Sequence, residues 1–555
     1  MLGHKRGKSS MQRAWTSFVE LPDRVRLCWL WLPLCLLSLQ GRTGTSAGNA
    51  PAWRRLLPAA CVFLMLAGCS DATPEPPSTA AGVSEALLRT MGGREALEAV
   101  ATLRFFGGGR RLHLGQMHAA GAAEPPGMLS ELVETIDLAN GSAAFDNWIE
   151  LPDGFRQHRT EVYTHYQGQP MGWATGTGRP SVATSVNGLF SWATHNSPEF
   201  LLRRNPVSVA LATLDASALG DMVIDGESYW SLTTVLGNET LHVYVDKDDY
   251  RLRGFGALDT ETMWGDANTT YLYDDWRMVG AQALVLPFKL EIRKPDGVYA
   301  NLAYTDIRVN QAADLAPLDV PAAAAEQAAQ VAAAGGASWA PLQWNPVAPG
   351  VTHAVGFSHH SMVVEFPSFV AVVEAPYTEA QSETLARLVA QHIGKPIRYV
   401  LPTHPHYDHT GGVRALMAQG ALVLTGKGHE AELRRLVEAP HTNPPDALAR
   451  AIAQGAAVGR VEAFTASAEI GEGDQQLQLF EVRGIPHVEP MVLAYVPATH
   501  TLFQSDLFNG EVTIDAAALY LAIEKLGLEV DQIVGGHGGV LPYSALVAAI
   551  EGAEP

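Results

Sequence analysis

The feature that most constrains this chain is a cluster of three histidines and one aspartate directly after an apolar run. The segment reads Thr403-His404-Pro405-His406-Tyr407-Asp408-His409-Thr410-Gly411-Gly412 and follows the predicted buried strand Ile397–Leu401. Burying so many polar groups without partners would cost several kcal/mol, so they need a common partner. In extended chain His404 and His406 point to the same side, while Asp408 and His409 can face a second position. The spacing therefore predicts a metal-binding loop at a strand end.

The cysteines restrict which side chains could complete such a site. All four lie in the first 69 residues (Cys28, Cys35, Cys61 and Cys69). Any metal site later in the chain must therefore use histidine and carboxylate ligands.

The cluster is similar to the His-x-His-x-Asp-His signature of the metallo-β-lactamase superfamily, and the resemblance covers about residues 345–545. It implies an α/β fold, the αββα sandwich, with three further ligands at strand ends. His487 after Gly484-Ile485-Pro486, Asp506 after Leu502–Ser505 and His537 within Gly535–Gly539 meet this expectation in the implied order. The resemblance assigns one metal to His404, His406 and His487, the other to Asp408, His409 and His537, and a bridging role to Asp506. One departure is Val488, which follows His487 where the family usually has a hydroxyl residue.

The implied chemistry is hydrolysis by a hydroxide held between two zinc ions, with Asp408 orienting it. A bridging aspartate resembles the thioesterase, lactonase, phosphodiesterase and sulfatase branches. We therefore expect cleavage of an ester-like bond in a small molecule (ester, thioester, lactone or phosphoester), with β-lactam cleavage as a side activity. Two alternatives stay open. A single iron at His404, His487 and Asp506 would support sulfur dioxygenase chemistry, and a lipid-anchored binding protein would need no catalysis.

Other polar residues of this region are assigned no ligand position by the resemblance. Glu374, at the end of an apolar run, is a candidate to hydrogen-bond a ligand histidine or a plain strand-end carboxylate. Five histidines match no ligand position (His353, His359, His360, His429 and His441), and His441 is a candidate for the substrate mouth.

The rest of the chain suggests two folded domains in 555 residues. Residues 84–318 are predicted to form a mostly β, half-barrel-like domain that opens with a helix over Ser84–Ala99, interrupted at Gly92-Gly93. Its Leu-Pro-Phe-Lys and Tyr-Thr-Asp-Ile-Arg-Val-Asn segments (286–289 and 304–310) loosely resemble the periplasmic lipoprotein carriers. The Ala-rich residues 319–340 are predicted to be a linker, and residues 341–555 the sandwich. Its predicted elements include a strand over Ser361–Glu374, a helix over Glu379–Ile393 and a strand over Met491–Val496.

The N-terminus has the pattern of an export signal. Residues 1–68 are predicted to be a leader, and Leu66-Ala67-Gly68-Cys69 resembles a bacterial lipobox, followed by a polar tether up to residue 83. Acylated Cys69 would anchor the protein to a membrane of the cell envelope, facing the periplasm, with Ser70 favouring the outer membrane. Without residues 1–68 the chain has 29 basic and 56 acidic residues, a formal net charge of −27. This charge argues against a nucleic-acid partner.

Overall fold

The computed structural model describes residues 79–552, apart from 152–153, 155, 176–180, 184–197, 262–263, 282, 334–341 and 357–358. The predicted leader and the predicted acylation site, Cys69, lie outside the described residues. The chain divides into two units, Met1–Pro76 and Pro77–Pro555, and every element below belongs to the second. Within the described residues, no helix has both the length and the hydropathy needed to cross a membrane.

The described chain opens with two short helices, α1 (Ala80–Thr90) and α2 (Arg94–Glu98). Gly92 and Gly93, with φ of +116° and +99°, separate them as the sequence predicted, because positive φ is accessible to glycine at little cost. The predicted start at Ser84 is wrong. Thr79 caps α1 by accepting from the backbone of Gly82, whereas Ser84 is buried and hydrogen-bonds Thr213.

A 13-stranded antiparallel sheet forms most of the N-terminal half. Its strands are β1 (Thr102–Leu112), β2 (Pro126–Asp137), β3 (Ser142–Glu150), β4 (Arg156–Tyr166), β5 (Gln169–Thr175), β6 (Ser181–Ala183), β7 (Ala218–Ile224), β8 (Glu227–Leu236), β9 (Glu239–Asp246), β10 (Leu252–Glu261), β11 (Gly265–Val279), β12 (Leu284–Lys294) and β13 (Gly297–Val309). They are ordered β6 to β1, then β13 down to β7, so the first and last long strands pair in the middle. The helices α3 (Pro198–Arg204) and α4 (Pro206–Ala212) pack against this sheet. A further helix, α5 (Ala322–Ala333), occupies the predicted linker, and its Ala324 and Ala328 are buried against the β3–β5 region.

Burial of Glu134, on β2, makes the stability of this sheet depend on pH. Glu134 is 5% exposed and accepts a hydrogen bond from the Tyr304 hydroxyl at 3.0 Å. Burial disfavours the charged carboxylate and raises its pKa to about 7, whereas 4.5 is the ordinary value. Between these two pKa values the folded chain binds one proton more than the unfolded chain. The resulting stabilisation is therefore complete below the lower pKa and is lost as the pH rises through the upper one.

Glu134→Gln is expected to remove this pH dependence. Relative to the wild type, the variant should gain about 2 kcal/mol of unfolding free energy between pH 5 and pH 8. Urea denaturation at both pH values measures the difference. Glu150→Gln, at an exposed position of β3, is the control and should show no such gain. An equal pH response in wild type and Glu134→Gln would contradict the prediction.

The C-terminal half contains two further sheets. The seven-stranded sheet consists, in spatial order, of β14 (Gln343–Ala348), β15 (Val351–Val355), β16 (His360–Glu365), β17 (Val370–Val373), β18 (Ile397–Leu401), β19 (Leu422–Gly426) and β20 (Val461–Phe464). The six-stranded sheet consists of β21 (Ser467–Glu472), β22 (Gln475–Val482), β23 (Met491–Val496), β24 (Thr501–Ser505), β25 (Gln532–Gly535) and β26 (Val540–Pro542). The predicted single strand over Ser361–Glu374 is wrong, since a turn at residues 366–369 divides it into the antiparallel pair β16 and β17.

Helices cover the outer faces of both sheets. On the first sheet these are α6 (Glu379–His392), α7 (Tyr407–Thr410), α8 (Val413–Ala418), α9 (Glu430–Glu438) and α10 (Ala447–Ala453); on the second they are α11 (Ile514–Leu526) and α12 (Tyr543–Glu551). Between the sheets, Val364, Val373 and Phe366 pack against Leu479, Ala494 and Phe503. This order of layers is the predicted αββα sandwich, and the predicted fold class, a mostly β region followed by this sandwich, is confirmed.

Candidate metal centre

The seven residues predicted as ligands converge where several strands of the sandwich end. His404 to His409 follow β18, His487 lies between β22 and β23, and Asp506 and His537 follow the parallel strands β24 and β25. Parallel strands bring the residues after their carboxyl ends to one edge of a sheet. Ligand atoms of His404, His406, His487 and Asp506 all lie within 4.8 Å of one another. A second group with the same spacing consists of His359, Asp408, His409 and His537.

Asp506 lies between the two groups. Its Oδ2 is 3.0 Å from His487 Nε2 and 3.9 Å from His404 Nε2. Its Oδ1 is 3.1 Å from His409 Nε2 and 3.6 Å from His537 Nε2. One carboxylate oxygen therefore faces each histidine group, which is the arrangement that a bridging ligand requires.

Neighbouring groups determine which ring nitrogen of three histidines carries the proton. The Thr403 hydroxyl donates to Glu374 Oε1 at 2.5 Å, so the Nδ1–H of His404, 2.9 Å away, must be the donor to Thr403. His406 Nε2 lies 3.0 Å from the carbonyl oxygen of Met117, which can only accept. His409 Nδ1 in turn donates to Glu374 Oε2 at 2.8 Å. The opposite nitrogens, Nε2 of His404 and Nδ1 of His406, are left with free lone pairs, and Nε2 of His409 faces Asp506 Oδ1 at 3.1 Å.

A metal ion fits these free nitrogens. His404 and His406 are buried, and within the described part of the chain His404 Nε2 and His406 Nδ1 have no hydrogen-bond partner. Buried polar atoms normally have partners, and a cation accepts a lone pair where no donor is available. Histidine nitrogens and carboxylate oxygens are the donor set that zinc takes when cysteine is absent.

The electrostatics of the site suit a cation as well. Burial, together with the neighbouring imidazole of His487, lowers the pKa of His406 to about 3, so this ring is neutral and able to act as a ligand. Burial would also lower the pKa of His409, but Asp506, Glu374 and Asp408 outweigh it and hold that pKa well above its usual value. Carboxylates at this density stabilise positive charge at the centre.

Glu374 holds three parts of the centre together. It is fully buried, and its Oε1 also accepts a hydrogen bond from the Ser505 hydroxyl at 2.5 Å. Both Glu374 and Ser505 have positive φ, +64° and +61°, a backbone conformation that is costly for residues other than glycine. Such strain is typical of functional sites, where the surrounding contacts maintain it. The sequence offered Glu374 as a partner of a ligand histidine, and the structure shows it beside His409.

Other contacts fix the loops that carry the remaining ligands. The Gln504 side chain accepts from the backbone of Leu507 and Phe508, which closes the turn around Asp506. Asp515 Oδ1 accepts from the backbone N–H of His487 at 2.8 Å. His353 Nε2 donates to the carbonyl of Gly535 at 3.0 Å, just before the loop of His537. Two of these three side chains come from outside the motif segments.

His359 is a candidate ligand that the sequence motifs did not identify. Its Nε2 is 2.9 Å from Asp408 Oδ2, and its ring centroid is 3.8 Å from that of His537. It precedes β16, where no signature residue identifies it, so only its spatial position assigns it to the second group. His441, a candidate for the substrate mouth, lies instead in a groove of about 500 Å³ with Arg414 and Glu379, outside both ligand groups.

Comparison with known protein families agrees with the motif. Residues 350–448, which include the His404–His409 cluster, match the family model described as the metallo-beta-lactamase superfamily. No curated protein matches the chain. Similar solved structures include a metallo-beta-lactamase from Pontibacter korlensis, at 20% identity and a TM-score of 0.30, covering 38% of this chain and 97% of that one.

Another similar structure is the metallo-beta-lactamase FIM-1 from Pseudomonas aeruginosa in its mono-zinc form, at 16% identity and a TM-score of 0.29, covering 38% of this chain and 94% of that one. The superfamily fold points to a metal-dependent hydrolase that binds divalent ions such as zinc. Over residues 350–448 the C-terminal region of this chain is therefore similar to the metallo-β-lactamase superfamily, and both ligand groups include residues of that match.

Proposed function

We propose that this protein is a dinuclear, dizinc hydrolase that cleaves an ester-like bond. The observation that carries the proposal is the position of Asp506, whose two carboxylate oxygens each face a different group of histidines. A site for one ion would need only one of these groups. With two groups joined by one carboxylate, the chain offers ligands for two ions side by side.

The protein's own residues set the conditions for hydrolysis. When bound, divalent ions at such a centre supply a water molecule activated near neutral pH and Lewis acidity toward the substrate oxygen. His404 and His406 hold neutral nitrogens toward the centre because their other nitrogens donate to fixed acceptors. Asp408 lies at the edge of the second group, where its carboxylate can orient the attacking water.

The exposed ligand side chains indicate the side from which a substrate can approach. The His404 and His409 side chains have no exposed surface, whereas 27% of His487 and 34% of His537 are exposed. These two histidines belong to different ligand groups. A scissile bond that enters between them would therefore meet both groups at once, as a dinuclear mechanism requires.

The proposed substrate class is a small molecule with an ester, thioester, lactone or phosphoester bond, and β-lactam cleavage is a possible side activity. Support comes from the aspartate at position 506, the residue type that the esterase-like branches of the superfamily have at the bridging position. The lack of cysteine after residue 69 also supports it. Attachment to the cell envelope through Cys69 is a further proposal, and it is supported by the sequence alone.

Metal analysis of the full-length protein tests the function. We expect two zinc ions per chain and loss of hydrolysis after dialysis against a chelator, with recovery on adding zinc. The assay uses a panel of ester, thioester, lactone, phosphodiester and β-lactam substrates. One iron per chain with oxidation of a thiol would instead identify the dioxygenase alternative. A chain that retains no metal and cleaves nothing in the panel would refute the proposal.

A further inference from the structure

A loop of the N-terminal β region, residues 113–125 between β1 and β2, lies against the metal centre of the C-terminal region. The Gln116 side chain donates from Nε2 to Asp408 Oδ1 at 2.6 Å. One residue later, the Met117 carbonyl accepts from His406 Nε2 at 3.0 Å. Two proposed ligands, one from each group, are therefore contacted by a segment almost 300 residues earlier in the chain.

These contacts have specific consequences for both ligands. The Met117 carbonyl requires the proton of His406 to be on Nε2, which leaves Nδ1 free for metal. Gln116 and His359 approach different oxygens of Asp408, Oδ1 and Oδ2 respectively. Since a donor on one oxygen restricts rotation of the carboxylate, Gln116 determines how the other oxygen is directed into the second group.

The loop is held firmly in this position. The Glu124 carboxylate accepts from the backbone N–H groups of Gly115 and Gln116, at 2.9 and 3.0 Å. Gly115 has a φ of +71°, and its carbonyl accepts from the backbone of Tyr407. On the far side, the carbonyl of His118 accepts from the backbone N–H of Glu489 at 2.7 Å. The loop is thus fixed to itself and to two of the ligand-bearing loops.

We propose that the loop of residues 113–125 completes the metal centre and that Gln116 is a positioning residue for Asp408. The proposal rests on the metal-binding role of Asp408 and His406 proposed above. Its consequence is that the β region is a structural part of the hydrolase site. Changes in the loop should then alter metal binding even though none of its residues is itself proposed as a ligand.

Cobalt titration of the full-length protein carrying Gln116→Met tests this role, because methionine has a similar length but cannot donate to Asp408. We expect the second equivalent of cobalt to bind about 10-fold more weakly than in the wild type, with a changed visible absorption spectrum. In Glu124→Gln one of the two accepting oxygens is replaced by an NH₂ group, which cannot accept a backbone hydrogen bond. This variant should give a smaller change in the same direction. Gln476→Met, at an exposed position on β22, is the control and should leave both equivalents unchanged.

The outcomes separate the two proposals. Unchanged cobalt affinity and spectrum in Gln116→Met would overturn the positioning role alone. A loss of unfolding free energy in the metal-free variant as large as the lost free energy of cobalt binding would also overturn it. The effect would then be general destabilisation. A wild-type protein that binds no cobalt would refute the metal centre itself, and this proposal with it.

Discussion

Asp506→Ala is expected to lower kcat/KM of the proposed hydrolysis by about a thousandfold, equivalent to about 4 kcal/mol of transition-state stabilisation. The metal content should fall from two ions per chain to one or fewer. The expected effect is large because Asp506 is a proposed ligand that faces both groups, with Oδ2 3.0 Å from His487 Nε2 and Oδ1 3.1 Å from His409 Nε2. If each group holds an ion, as proposed, Asp506 would be a ligand of both, and its loss would also remove charge that offsets their mutual repulsion.

Metal analysis and steady-state kinetics on the same preparation measure both effects. Asp531→Ala is a matched control, since Asp531 precedes β25, at the end of the strand away from His537, and its side chain is 77% exposed. It should retain both ions and full activity. If Asp506→Ala keeps two ions and normal activity, the bridging role and the dinuclear proposal are both wrong.

The sequence was sufficient to predict this centre because each motif residue follows a predictable strand. Met491–Val496 was predicted and observed with the same bounds, and the helix predicted over Glu379–Ile393 ends one residue earlier, at His392. Apolar runs of this kind bury strands in a sandwich, and the residues after parallel strands must meet. The convergence of Asp506 and His537, which follow the adjacent parallel strands β24 and β25, follows from this topology.

What the sequence could not predict depends on contacts between distant segments. Gln116 lies in a loop without any motif, and only the packing of the β region against the sandwich brings it to Asp408. His359, which directly precedes β16, has no signature residue beside it in the sequence. Only the packing of the fold brings it to Asp408. The division of Ser361–Glu374 was missed because residues on both sides of the turn are apolar, and periodicity alone does not locate a turn between two such strands. Only Pro367 and Ser368, at the turn itself, are exposed in this segment.

Glu374→Gln is expected to preserve the fold and to weaken metal binding by about 10- to 100-fold. In the wild type, Oε1 accepts from the hydroxyls of Thr403 and Ser505, and Oε2 accepts from His409 Nδ1. A glutamine amide that keeps the two hydroxyl contacts must turn its NH₂ group toward His409. The ring nitrogen Nδ1 then has to accept, so the imidazole proton moves to Nε2, the atom directed toward Asp506. The fold is intact, but one ligand has the wrong tautomer.

Glu374→Ala separates this effect from a structural one. It leaves the donors of Thr403, Ser505 and His409 without their buried acceptor, so we expect a loss of about 3–5 kcal/mol of unfolding free energy in the metal-free protein. Chelator competition measures metal affinity, and urea denaturation in the presence of chelator measures stability. Glu365→Gln, at a partly exposed position on β16 beside Lys395, is the control for both. If Glu374→Gln binds metal as tightly as the wild type, the proton position on His409 does not govern ligation. If instead both substitutions destabilise the metal-free chain equally, Glu374 acts on folding and not through the tautomer.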